Sequence, residues 1–181
     1  MTAVAAFKPV SEPVADELEQ AFRQHSRLVY RTAYSVTGRA QDAEDIVQTL
    51  FLRLARSGFP ADFQKNPDGY LYRAAVNLSL NALKARRRHA SAADPADLQL
   101  AAAPDASEAA DPKAELQTRL IEAMTELSPR AVEMLVLRYE HNTPEAEIAR
   151  LLGTSRGAVA VTLFRARARL RKLLVGLGKQ S

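Results

Sequence analysis

Apolar residues return every three or four positions along most of this chain. That period leaves room for only one kind of secondary structure. In the stretch AQDAEDIVQTLFLRLA, residues 40–55, the apolar positions Ala43, Ile46, Val47, Leu50, Phe51 and Leu54 make a single stripe down an amphipathic helix. Leu18, Phe22, Val29, Ala33 and Val36 do the same before it, and Leu71, Ala74, Ala75, Leu78 and Ala82 after it. No stretch alternates with period two for long enough to make a strand. The fold class expected is all-α.

Breakers divide the pattern into two small helical domains. A disordered N-terminus, residues 1–15, precedes a first domain over 16–89. Gly38 ends its first helix, Gly58 and Pro60 end its second, and the segment 59–69 reads as a loop before a long third helix. Residues 90–112 are rich in Ala, Asp and Pro, with no aromatic residue and no unbroken stripe, and read as a flexible linker. The second domain covers 113–176, with a tail at 177–181. It places Leu116, Leu120, Ala123, Met124 and Leu127 on one helix face, then caps a helix with Ser128 and Pro129 that buries Val132, Leu135, Val136 and Tyr139. A further short helix has Thr143 as its cap and Pro144 at its first position. It buries Ile148, Leu151 and Leu152 and stops at Gly153, and a last helix opens at Thr154 or Ser155.

Several chemistries are not expected. The chain has no Cys, which removes disulfides, thiolate metal sites and a thiol nucleophile. Its three His are far apart in sequence, and its acids converge on no phosphate loop, so no catalytic residue, cofactor or metal is expected. The start lacks the basic segment and apolar core of a signal peptide, and no apolar run reaches the roughly 20 residues of a membrane span. The expectation is a cytoplasmic protein without membrane insertion.

The charges point to polyanions, with one exception. Net charge is +4, and no acid follows Glu147. The short helix, tight turn and capped long helix form a helix-turn-helix pattern. Thr154, Ser155, Arg156, Thr162, Arg165 and Arg167 are its candidate DNA contacts. Arg156 is the long cation nearest the helix start, placed to reach a base edge. In the first domain the third helix carries Arg73, Asn77, Asn81, Lys84, Arg86, Arg87 and Arg88, and the aromatics Phe63 and Tyr70 stand just before or at its start. Arg and Lys suit phosphates, Asn suits adenine edges, and aromatics suit a base that has left the stack. The exception is the head of the second helix, where Asp42, Glu44 and Asp45 precede Gln48. Helix-dipole compensation accounts for one or two acids there. Three in a basic chain leave a basic protein partner as the alternative.

Two of these blocks, DAEDIVQTLFLRLA followed by YLYRAAVNLSLNALKARRR, and LSPRAVEMLVLRYEHNTPEAEIARLLGTSRGAVAVTLFRARARLR, resemble the extracytoplasmic-function (ECF) sigma factors of bacterial RNA polymerase. The resemblance covers nearly all of the chain outside residues 1–15 and the linker. It implies an alternative sigma factor that is not an enzyme. Asp42, Glu44, Asp45 and Gln48 would bind the β′ clamp helices of the polymerase core. Phe63, Tyr70, Arg73, Asn77, Asn81, Lys84, Arg86, Arg87 and Arg88 would melt and read the −10 element of promoter DNA. Thr154, Ser155, Arg156, Thr162, Arg165 and Arg167 would read the −35 element beside the β-flap, and an anti-sigma factor would hold the protein inactive. The chain departs from the family pattern at Tyr70, where Trp is usual. It also has Val76 before Asn77, Asn81 for Asp, and Ala160 and Thr162 for the usual Lys and Arg. A free-standing helix-turn-helix repressor, binding an operator as a dimer, is the competing reading from the residues alone.

Overall fold

The structure, a computed structural model, describes residues 12–92 and 112–177. All described regular structure is helical: α1 Glu12–Thr37, α2 Ala40–Ser57, α3 Ala61–Lys65, α4 Pro67–Ala92, α5 Pro112–Thr125, α6 Pro129–Tyr139, α7 Glu145–Leu151 and α8 Arg156–Leu177. Among the described residues no helix is long and apolar enough to cross a membrane. The linker expected at 90–112 lies mostly outside the described residues, as do most of the N-terminus at 1–15 and the tail beyond 177. Residues 90–92 continue α4.

The helix ends follow local chemistry. Gly38 and Gly58 take φ of 70° and 73° and close α1 and α2 by donating to the carbonyls of Tyr34 and Leu54. The Ser128 hydroxyl accepts from the Ala131 amide and caps α6. Ser155 caps α8, accepting from the Ala158 amide at 3.1 Å. One cap expectation needs correction. Pro144, not Thr143, stands at the start of α7. Thr143 is buried and its amide donates to the Leu137 carbonyl, so it joins α7 to α6.

The expected stripe of α2 is the core of the first half. Ala43, Ile46, Val47, Leu50, Phe51 and Leu54 are all buried against α1 and α4. Removing any one of the large ones costs about 2–5 kcal/mol. In the second half, α6, α7 and α8 close around Leu135, Leu137, Ile148, Leu151, Leu152, Val159 and Leu163. The stripes over-predict burial at their margins. Phe22, Leu116, Leu120 and Tyr139, expected inward, are exposed.

The two halves are packed together. A third apolar cluster joins Val36 of α1 and Val76, Leu80 and Leu83 of α4 to Met124, Val132 and Val136 of α5 and α6. Polar contacts ring it. The Asn66 amide donates to the Leu151 carbonyl at 2.8 Å. Arg31 donates to the Glu140 carbonyl at 2.9 Å, and Arg87 pairs with Glu126 at 3.1 Å. His141 lies 3.1 Å from the Thr32 hydroxyl, with its ring edge-on to Tyr72 at 5.0 Å. Gly69 is buried here, and only glycine fits, because a Cβ would meet the Leu151 carbonyl oxygen and the Asn66 side chain.

Candidate nucleic-acid interface

Three exposed surfaces carry the candidate residues. On the head of α2, Glu44, Asp45 and Gln48 are exposed. Asp42 is engaged within the chain: its carboxylate accepts from Arg86 at 2.8 Å. The acidic rim therefore offers Glu44 and Asp45 outward. Beside it the sequence reading missed an apolar groove of about 570 Å³ between α1 and α2, lined by Leu18, Phe22, Gln48, Phe51 and Leu52. Phe22 and Leu52 are 46% and 49% exposed. Phe22, expected inward, stands at this groove instead. Helical spacing places Phe22 within the α1 stripe, two turns from Val29, so periodicity carried no signal of its exposure.

Along α4, Arg73, Asn77, Asn81, Lys84 and Arg88 repeat at steps of three or four and share one exposed stripe. This is one cationic, amide-bearing face. Arg86 and Arg87 lie off it and turn to Asp42 and Glu126. Both are exposed pairs, worth about 0–1 kcal/mol, which a phosphate can displace. Phe63 needs correction. It is not in an open loop but buried in α3, where it packs against Phe59 at 4.7 Å, Tyr70 at 5.8 Å and His25 at 6.3 Å. A base cannot stack on it without unpacking that cluster. Tyr70, half-buried, stays within reach of solvent. Tyr72 is buried at the junction, and its hydroxyl pKa is pushed up to about 12, first by burial and then by Asp68.

On α8 the faces can be assigned from 100° steps. Val159, Leu163, Ala166 and Leu170 point into the core. Gly157, Val161, Phe164 and Ala168 fall on the opposite side, where Val161 and Phe164 are 47% and 68% exposed. Arg165 and Arg169 flank that stripe on one side, Arg167 and Arg171 on the other. Arg167 also donates to the Tyr139 hydroxyl at 3.4 Å. Arg156 lies on the side of α8 that faces α7, 3.9 Å from Glu145, and its side chain is exposed at the start of the helix. Thr154 and Ser155 stand at the α8 N-terminus, and Thr162 is half-buried on its flank.

Two groups near the junction, buried Glu133 and half-buried His141, have shifted protonation. Burial raises the Glu133 carboxyl above its usual range, although Arg130 hydrogen-bonds to it and Arg73 lies near. His141 is lowered, first by burial and then by Arg31. Among the described residues no group of three or more His, Asp or Glu is arranged to hold a metal ion.

A family model described as Sigma-70 region 2 matches residues 21–89. A second, Sigma-70 region 4, matches residues 117–170. The ECF RNA polymerase sigma factor SigE of Mycolicibacterium smegmatis is 31% identical over 176 residues, covering 96% of this chain and 68% of the relative. The RNA polymerase sigma-E factor of Streptomyces coelicolor is 30% identical over 161 residues, covering 88% and 86%. SigG of Mycobacterium tuberculosis is 33% identical over 184 residues, but the chain spans only 49% of its length. Among solved structures, the sigma factor RpoE of Bartonella quintana, crystallised with the anti-sigma factor NepR, shares the fold at 20% identity. Its TM-score is 0.50, over 88% of this chain and 97% of that one. Both sigma regions, in order and with two relatives at 30% identity or more matched over two thirds or more of their length, make this chain a member of the ECF sigma factor family of bacterial RNA polymerase.

Proposed function

We propose that this chain binds the polymerase core through the exposed rim of α2 and directs promoter-specific initiation, reading a −10 element with α4 and a −35 element with α8. The single observation that carries the reading is the separation of charge on one chain. An acidic rim, Glu44 and Asp45 beside Gln48, stands apart from two exposed cationic helix faces. The rim with the neighbouring Phe22–Leu52 groove suits the basic β′ clamp helices. Arg73, Asn77, Asn81, Lys84 and Arg88, with Tyr70 at the helix start, suit the −10 strand, and Arg86 and Arg87 join them on release from their acids. Thr154, Ser155, Arg165 and Arg167 suit −35 phosphates next to the β-flap, and Arg156 and Thr162 serve at the margin. Charge of this kind brings salt-dependent affinity without sequence preference. The chain acts in the cytoplasm with polymerase, performs no chemistry of its own, and has an anti-sigma protein as inhibitor, as Bartonella RpoE has NepR. The repressor reading is not favoured, because it leaves the region 2 match over 21–89 without a role.

The numbering of the two elements separates them by 25 base pairs, about 85 Å at ~3.4 Å per base pair. Leu83 of α4 and Leu170 of α8 belong to one apolar cluster. Reading both elements at once therefore requires the halves to part.

The test is core binding by the double variant Glu44→Lys, Asp45→Lys, in the absence of DNA. Both residues are exposed, so the helices stay folded. Affinity is expected to fall at least tenfold and to become less salt-dependent. Unchanged core affinity overturns the assignment.

A further inference from the structure

The outward face of α8 holds one long donor, Arg165, as near its centre as Phe164, and is otherwise poor in groups for hydrogen-bonded base reading. Gly157, Ala158, Val161 and Phe164 carry no side-chain donor or acceptor, and Ala160 has none either. Arg156, the one long polar side chain at the helix start, faces Glu145 of α7. Yet the stripe is built for a groove. Arginines line both of its sides, and a helix about 10–12 Å across fits a major groove about 12 Å wide. Seated there, the two rows of guanidinium groups meet the two phosphate backbones, and the apolar stripe faces the base edges. One base-edge group in the major groove is apolar: the 5-methyl of thymine.

We propose that this chain recognises its −35 element through thymine methyl groups, packed by Val161 and Phe164 with Ala158 beside them. The proposal rests on the −35 role of α8 given above. It names the chemical group read and two residues that the charged candidates leave out. Phe164 at 68% and Val161 at 47% exposure are one helical turn apart on a single face. Neither is needed by the core, which is filled from the other side of the helix by Val159, Leu163 and Ala166. Water around a pair of large exposed apolar side chains is released when methyl groups cover them. The arginines then supply affinity and the methyls supply the choice of base.

The experiment uses holoenzyme reconstituted from polymerase core and the full chain, with DNA randomised over the −35 segment. Thymine is expected to be enriched at two or more neighbouring positions. Replacing each of those thymines by deoxyuridine removes the methyl and keeps every hydrogen-bonding group. Each replacement is expected to weaken binding about fourfold, the equivalent of about 0.8 kcal/mol per buried methyl. Phe164→Ala and Val161→Ala, both on exposed positions, are expected to erase the difference between thymine and deoxyuridine while keeping the salt dependence. A selected −35 motif that is indifferent to deoxyuridine overturns the methyl proposal and leaves the −35 role standing. Absence of any −35 preference overturns both.

Discussion

His141 is a small part of the junction between the two halves and a direct handle on it. Its ring meets the Thr32 hydroxyl of α1 at 3.1 Å and the edge of Tyr72 in α4 at 5.0 Å and 75°. His141→Ala deletes both contacts and leaves the turn itself, where the His141 amide donates to the Val136 carbonyl. A net hydrogen bond is worth about 0.5–1.5 kcal/mol, and an aromatic edge contact a similar amount. The neighbouring Arg31–Glu140 pair is exposed on both sides and adds little. Docking should therefore weaken by about 1–3 kcal/mol, which raises the open fraction about 5- to 150-fold. The chain has no Cys, so thiols introduced at Arg53 and Arg169, both exposed, are the only dye sites. Energy transfer between them should fall in His141→Ala with helix content unchanged, and stay the same in Val175→Ala, an exposed control. Equal transfer efficiency in wild type and His141→Ala would refute the reasoning.

The same contacts make docking sensitive to acid. Burial lowers the His141 pKa, so its contribution is fully present above the ordinary value of about 6.5 and is lost as pH falls through the lowered one. Glu133, raised by burial, works in the opposite sense above the ordinary carboxylate range. Energy transfer in the doubly labelled wild type should drop between pH 7.5 and 5.5, and this drop should be missing in His141→Ala. Two glycines separate docking from strain: Gly69→Ala puts a methyl against the Leu151 carbonyl and should open the junction, read as lost energy transfer. Gly58→Ala meets nothing but must hold φ near 73° with ψ near 177°, a region essentially reserved for glycine, costing about 1–3 kcal/mol, read as a lower Tm with transfer unchanged.

What could be read from the sequence was local. The α2 stripe, the Ser128 cap and the stops at Gly58 and Gly153 depend on residues within a turn or two of one another. Phe63 did not yield to that reasoning, because it stands alone between Asp62 and Gln64. Its burial comes from Phe59, Tyr70 and His25, the last of these distant in sequence. Periodicity names the side of a helix but not how far a neighbour covers it, so Phe22 and Tyr139, expected inward, lie exposed. The charged surfaces were legible because exposed charges follow helical spacing, as Arg73, Asn77, Asn81, Lys84 and Arg88 do. The docking of the halves was not. A linker-like composition says nothing about whether the segments it joins have complementary apolar faces.

Helix α4 has no idle side. Leu71 and Ala75 fill the first core, Tyr72, Val76, Leu80 and Leu83 face the second half, and Arg73, Asn77, Asn81, Lys84 and Arg88 take what remains. A helix used on all three sides has little sequence latitude. In a saturation scan of the whole chain, α4 should stand out as the segment least tolerant of change. Its damaging substitutions should fall into three interleaved classes with different symptoms: unfolding, premature opening, and loss of DNA binding. Helix α5, with Leu116 and Leu120 exposed and a single neighbourly face at Ala123 and Met124, should be among the most permissive. Drift between relatives can accumulate in α5 while α4 stays close to its present form.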